Sequence, residues 1–216
     1  MRHITYNLLL CSLLISRTGS TADQLCPNDM VDNGQHVCID KFEWPNKRGE
    51  KPFTTASGIV ENGKPGYDAE ALCASVGKRI CLRKEWMAGC KGPNNSPYPY
   101  GDKPDDNACN TNKLWIPVDK DRVAVRDSQH LEQINQSEPA GSRETCVSAS
   151  GAYDMVGNAE EWVKCNDGLY GWCMVGGYWV NKKTPSCNFR IITHAPNWHY
   201  YEIGFRCCKD EENEKI

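Results

Sequence analysis

The stretch Gly151-Ala152-Tyr153-Asp154-Met155-Val156-Gly157-Asn158-Ala159-Glu160-Glu161-Trp162 decides how this chain reads. A Gly-Asn turn, Gly157-Asn158, lies between two carboxylates, Asp154 and Glu161, and Trp162 closes the segment. Glycine and asparagine tolerate the left-handed backbone that tight turns require. Such a turn can aim carboxylates and backbone carbonyls at one point, the oxygen-rich and irregular surroundings that calcium accepts. Gly204-Phe205-Arg206-Cys207 echoes the segment further along the chain.

The surrounding chain has 216 residues, the size of one domain with short extensions. Its charged fraction is 25 % and its hydrophobic fraction 39 %, which places it among soluble globular proteins. The net charge of -3 gives no basic footprint for nucleic acid. With 7 Trp, 9 Tyr and 18 Gly, the composition favours short strands and ordered loops over long helices.

Residues 1–22 read as a secretory signal. Arg2 and His3 precede the apolar run Leu8 to Ile15, and Ser20-Thr21-Ala22 offers small residues at a cleavage site. The run is too short to span a bilayer. Lipidation at Cys11 is a competing reading, against which stand the large residues Leu8-Leu9-Leu10; an uncleaved core segment is another. Of the 13 cysteines, Cys11 lies in this segment, leaving an even number in the mature chain. An even set in an exported chain argues for disulfides and a secreted or periplasmic location. No C-x-x-C pairs mark a zinc ribbon. The adjacent Cys207 and Cys208 are expected to anchor two different loops.

Residues 23–66 read as short strands and turns, with His36 to Trp44 alternating at the strand period. Cys26 and Cys38 fit a local pinch there, with the connectivity left open. Tyr67 to Val76 has helical spacing and is followed by Gly77 in the usual C-terminal position. Lys84 to Cys90 reads as a second short helix, stopped by Gly92-Pro93. Residues 92–150 read mostly as loop, ordered by disulfides or a metal. Residues 151–208 return to strands and tight turns, and 209–216 form a charged tail.

Several pieces occur in a meaningful order: Cys38-Ile39-Asp40-Lys41-Phe42-Glu43, Gly77-Lys78-Arg79-Ile80-Cys81, Glu85-Trp86 with Cys90, and Tyr98-Pro99-Tyr100-Gly101. Cys109-Asn110, Tyr153 to Asn158, Glu161-Trp162, Gly176-Gly177 and Gly204 to Cys207 follow. Together they resemble the formylglycine-generating enzymes, or sulfatase-modifying factors, over roughly residues 36 to 208. The resemblance implies a single loop-rich α+β domain of C-type-lectin-like fold across residues 23–208, with short helices and short antiparallel strands. It also implies disulfides Cys73–Cys207 and Cys90–Cys187. Authentic members oxidise a sulfatase cysteine with oxygen and a copper ion held by two cysteines. Iron-using enzymes and binding proteins also belong to the wider family.

The copper cysteines should follow Gly176-Gly177. Here Tyr178 to Ser186 contain none. Cys187, in Cys187-Asn188-Phe189-Arg190, matches the family's C-x-x-R disulfide position. Placing it instead at one copper position leaves its partner absent, because Ile192 stands there. Copper(I) needs soft thiolates, which Asn181 and Lys182 cannot supply, so copper is not expected.

By the same resemblance, Asp154, Gly157, Ala159 and Glu161 match a calcium site, and Asn110 with Thr111 matches part of a second. A hydrogen-bonded turn with solvated acids is the plainer reading of the first, and the loop that should complete the second is too divergent to place. Trp179, Asn181, Asn188, Arg190, Trp198 and His199 are candidates for a ligand face that also includes Tyr178 and Tyr200; aromatic rings with Asn and Arg suit a peptide or glycan. A core role for the rings is the competing reading. His194 and His199 are not at helical metal-ligand spacing, and no third histidine completes a set. There is no G-x-S-x-G nucleophile motif, and no catalytic residue is assigned. The chain thus reads as an exported, non-catalytic, calcium-stabilised binding or structural module with a protein, peptide or glycan partner. The alternative is an oxidoreductase of this family that modifies a cysteine or another group on an exported protein.

Overall fold

The structure is a computed structural model that describes residues 25–54 and 65–211. The signal segment 1–22 lies outside the described residues.

The architecture is α+β, with short elements in two four-stranded sheets. The first has the order β1-β2-β8-β3, from strands Met30–Asp32 (β1), Val37–Asp40 (β2), Cys207–Asp210 (β8) and Arg79–Ile80 (β3). All its pairings are antiparallel, and Cys38 opposite Lys209 joins the two ends of the domain. Lys209 and Asp210 therefore belong to a strand and not to the expected tail. The second sheet has the order β6-β5-β4-β7, from Arg190–Ile191 (β6), Trp172–Val175 (β5), Glu160–Lys164 (β4) and Ile203–Gly204 (β7). Here β4 pairs antiparallel with β5 and parallel with β7.

Helix α1, Pro65–Ser75, begins on proline, whose missing N–H costs nothing in the first turn. It ends with Gly77 at φ 71° and with Lys78 N–H bonded to the Cys73 carbonyl, a left-handed C-terminal cap. Helix α2, Arg83–Lys91, is closed by Glu85, whose side chain accepts the Leu82 N–H at 2.8 Å. Gly89 lets α2 lie on β2: a β-carbon there would sit 3.2 Å from Ile39 Cδ1. Trp86, Val163, Met155 and Ile39 fill the core between the sheets.

The loop expected over 92–150 contains two further helices, α3 Lys120–Ala124 and α4 Ser128–Ile134. Asp119 accepts the Asp121 and Arg122 N–H groups, and Asp127 accepts that of His130. Each helix buries one short apolar face, Val123 or Leu131 with Ile134, against Trp179 and Tyr201. Tertiary packing supplies what such short helices lack in cooperative length.

Disulfides bind these layers. Cys73 is joined to Cys207, and Cys90 to Cys187, the two pairs named above. Successive strand residues face opposite sides, so Cys207 reaches α1 while Cys208 reaches Cys81. Cys26–Cys38, Cys109–Cys146 and Cys165–Cys173 complete the set. Closing loops of 134 and 97 residues removes roughly 4–5 kcal/mol of denatured-state freedom each in the chain-entropy model.

Candidate functional site

The Asp154–Trp162 segment runs through the centre of the domain. Asp154, Gly157 and Asn158 adopt left-handed backbone at φ 55°, 74° and 53°. Gly157 is obligatory, because a β-carbon there would lie 2.5 Å from the Asn110 carbonyl oxygen and 2.6 Å from Thr111 Cγ2. The two candidate calcium segments are therefore pressed together. Asn158 fastens the contact: its N–H reaches the Asn110 carbonyl at 2.9 Å, and its Oδ1 accepts from Asn110 Nδ2 at 3.0 Å. Asn158 Nδ2 donates to Glu43 Oε2 at 2.6 Å, and Ala159 N–H donates to Glu43 Oε1 at 2.9 Å.

Glu161 is spent on another partner. Arg206 Nη2 lies 2.7 Å from its Oε1 and Arg206 Nε 2.8 Å from its Oε2, while Trp86 Nε1 donates to Oε2 at 2.7 Å. Arg206 also donates to the carbonyls of Asp40 and Tyr153. Its buried guanidinium is held charged by Glu161, Glu43 and Asp154, so three carboxyls share one cation. Burial pushes Glu43 well above the ordinary glutamate value, and the charges of Asp154 and Glu161 push it further. Burial raises Asp154 to about 6 against the Gly141 N–H that it accepts at 2.7 Å.

This arrangement gives a mixed fit to calcium. The expected clamp of Asp154 and Glu161 is not free, since Glu161 is an internal counter-ion, and among the described residues no three Asp, Glu, His or Cys side chains gather to hold a metal. The Asn110 side fits better: Asn110 Oδ1 is buried without a hydrogen-bond partner, although such groups nearly always have one. Thr111 beside it is buried and within 3.4 Å of Thr184 Oγ1.

The ground after Gly177 holds no thiol. Gly177 itself needs its left-handed φ of 67°, and a β-carbon there would meet Pro185 at 2.6 Å. Asn181 Oδ1 accepts the Tyr178 N–H at 2.7 Å and closes a turn. Every cysteine among the described residues is in a disulfide, Cys187 included.

The candidate ligand residues are dispersed. Trp179 is 0 % exposed and packs in the core beside Tyr201, so it is not part of a binding face. Asn188 is exposed, and Arg190 on β6 pairs with Asp167 at 2.7 Å. Trp198 and His199 share a groove of 410 Å³, walled by Val123 and Ala124 of α3. Trp198 is 42 % exposed, with its ring 4.7 Å from His194 and 5.7 Å from Tyr200.

Two buried acids escaped the sequence reading. Glu160 faces away from Glu161, as alternation along β4 requires, and its N–H bonds the Glu202 carbonyl at 3.0 Å. Burial raises Glu160 to about 8; burial and the neighbouring Glu160 raise Glu202 to about 9. Glu202 Oε2 is buried and unpartnered.

A two-sheet, disulfide-braced α+β domain with a carboxylate-flanked Gly-Asn turn defines a class: the formylglycine-generating-enzyme fold lacking the family's free cysteine pair. The model for the sulfatase-modifying factor enzyme 1-like domain matches residues 29–211, and the chain belongs to that family. It is 28 % identical over 150 residues to the inactive C-alpha-formylglycine-generating enzyme 2 of Bos taurus, covering 65 % of this chain and 46 % of that one. The Mus musculus counterpart is 27 % identical over 158 residues, covering 68 % and 48 %. The chain thus spans about half the length of the curated relatives it matches. The crystal structure of CarF shares the fold at a TM-score of 0.54 and 18 % identity, covering 82 % of this chain and 87 % of CarF.

Proposed function

We propose that this domain is an exported, non-catalytic binding or structural module of the sulfatase-modifying factor family. One observation carries the reading: Tyr178 to Ser186, where the resemblance expects the copper cysteines, contain no cysteine, and Cys187 is committed to Cys90. Without a thiolate pair the family's oxidation has no copper ligands. The oxidoreductase alternative is not rescued by Glu160 and Glu202, because carboxyls transfer protons and not electrons. The relatives named inactive point the same way.

Export is supported by the disulfide density, which suits an oxidising compartment, either secreted or periplasmic. No helix among the described residues is long and apolar enough to cross a membrane. The partner is an exported protein, peptide or glycan, received at the Trp198–His199 groove, where an exposed ring stack lies beside Asn197. Calcium is assigned to the Asn110 side of the central crease, on the strength of the orphaned Asn110 Oδ1. Alkylation of the denatured, unreduced protein followed by mass spectrometry tests the reading. Complete protection of Cys26 through Cys208 is expected; a labelled pair of cysteines overturns it.

A further inference from the structure

A cleft of 480 Å³ lies between the start of α2 and the end of β4. Arg83, Lys84 and Lys164 line it, together with Asn166 and Asp167. Arg190 stands beside it, paired with Asp167 at 2.7 Å and close enough to Arg83 for the two guanidinium groups to repel. Lys164 lies 3.9 Å over the Trp172 ring and is paired with Glu70 at 3.1 Å. Four cationic side chains therefore face two carboxylates.

Arg83 is the residue that this neighbourhood leaves unsatisfied. Its Nε is buried and donates to nothing among the described residues. Burial and the nearby Arg190 both lower its hold on the proton, and the charge of Asp167 offsets them only in part. A guanidinium with a buried donor unused, whose nearby carboxylate Asp167 is already paired with a second guanidinium, is costly unless another acceptor is supplied. The cleft also meets the first turn of α2, whose backbone dipole favours negative charge. Glu85 in that turn does not cancel the field, because Arg79 neutralises it through two hydrogen bonds.

We infer that this cleft is a binding site for a tetrahedral oxyanion, a sulfate or phosphate monoester group, held by Arg83 and Arg190 with Lys84 at the rim. The surplus of two positive charges left by the paired acids matches a phosphate monoester dianion and more than covers the single charge of a sulfate monoester. Guanidinium groups suit it because their planar donors bind two oxygens at once. The site is separate from the Trp198–His199 groove and does not depend on the role proposed for that groove.

The test is titration calorimetry on the full disulfide-bonded chain, with sodium sulfate and sodium phosphate measured against sodium chloride at matched ionic strength. A sulfated monosaccharide and phosphoserine form further arms that distinguish the source of the oxyanion. Sulfate or phosphate should bind with measurable heat where chloride does not. Arg83→Gln and Arg190→Gln should each weaken binding by about tenfold or more, the loss of one charge-assisted hydrogen bond. Lys47→Gln, outside the cleft, should leave affinity unchanged. Unchanged melting temperatures confirm that the variants fold, and if one arginine variant does not fold, the other decides. No preference over chloride overturns the inference, as does equal affinity in the folded arginine variants or an equal loss in Lys47→Gln.

Discussion

Arg206 lies in a two-point pair with Glu161, with Nη2 at 2.7 Å and Nε at 2.8 Å from the two carboxylate oxygens, and both side chains are fully buried. The pair ties the short connection before β8 to the motif strand β4. Removing one partner leaves an uncompensated buried charge. Arg206→Leu or Glu161→Leu should each cost about 3–5 kcal/mol. The double variant should cost less than their sum, because it buries no lone charge. Urea unfolding of the disulfide-intact protein measures the cycle, and strict additivity would show that the two side chains act independently.

Gly157 tests the crease. Gly157→Ala forces a β-carbon to 2.5 Å from the Asn110 carbonyl oxygen at a φ of 74°. The backbone conformation alone should cost about 1–3 kcal/mol, with the clash added to it. Gly34→Ala is the control: its φ is 80° but no atom lies within 4 Å of the new carbon, so its loss should be the smaller. Equal losses, read from melting temperatures, would mean that the crease yields.

The buried acids set the pH dependence. Glu160 and Glu202 hold protons up to about 8 and about 9 in the folded chain, whereas the unfolded chain releases them near 4.5. Their contribution is fully present below about pH 4.5 and is lost as pH rises through the folded values, on the order of several kcal/mol in all. Glu138 works in the opposite sense. Arg143 and Lys113 hold it down to about 2, so its contribution is lost as pH falls from 4.5 towards that value. Stability should therefore peak at about pH 5 and decline towards pH 9. Glu160→Gln with Glu202→Gln should flatten the alkaline limb. An unchanged slope in that variant would show that these acids do not govern it.

Calcium added after chelation should raise the melting temperature by about 5–10 °C at a concentration roughly a hundredfold above its dissociation constant. Asn110→Ala should abolish the shift. An equal rise in that variant would move the ion away from Asn110, and no rise in the parent would remove calcium from the account.

Much of the frame was legible because it is punctuated. Gly77 and Gly92 end α1 and α2, and the ordered motifs pointed to the fold before any contact was known. The helices α3 and α4 were not legible, since five and seven residues are too few for helical periodicity to stand out. Asp119 and Asp127, each a residue type that caps helices, were the available signal. Trp179 read as a ligand-face ring because aromatic and polar residues gather in the C-terminal third, yet tertiary packing with α3 and α4 buries it. Glu160 was passed over for the opposite reason: charge reads as surface, and nothing in a strand pattern says that it will be buried beside Tyr178 and Glu202. The fate of Glu161 was hidden as well, because its counter-ion Arg206 arrives from 45 residues away.

In the function proposed above, the family's oxidation chemistry is lost with its copper ligands. The most direct measurement is oxygen consumption by the copper-loaded, full-length protein supplied with a cysteine peptide of the sulfatase type and a thiol reductant. No peptide-dependent oxygen uptake and no aldehyde in the peptide are predicted. Copper-dependent turnover with formylglycine formed in the peptide would contradict the account.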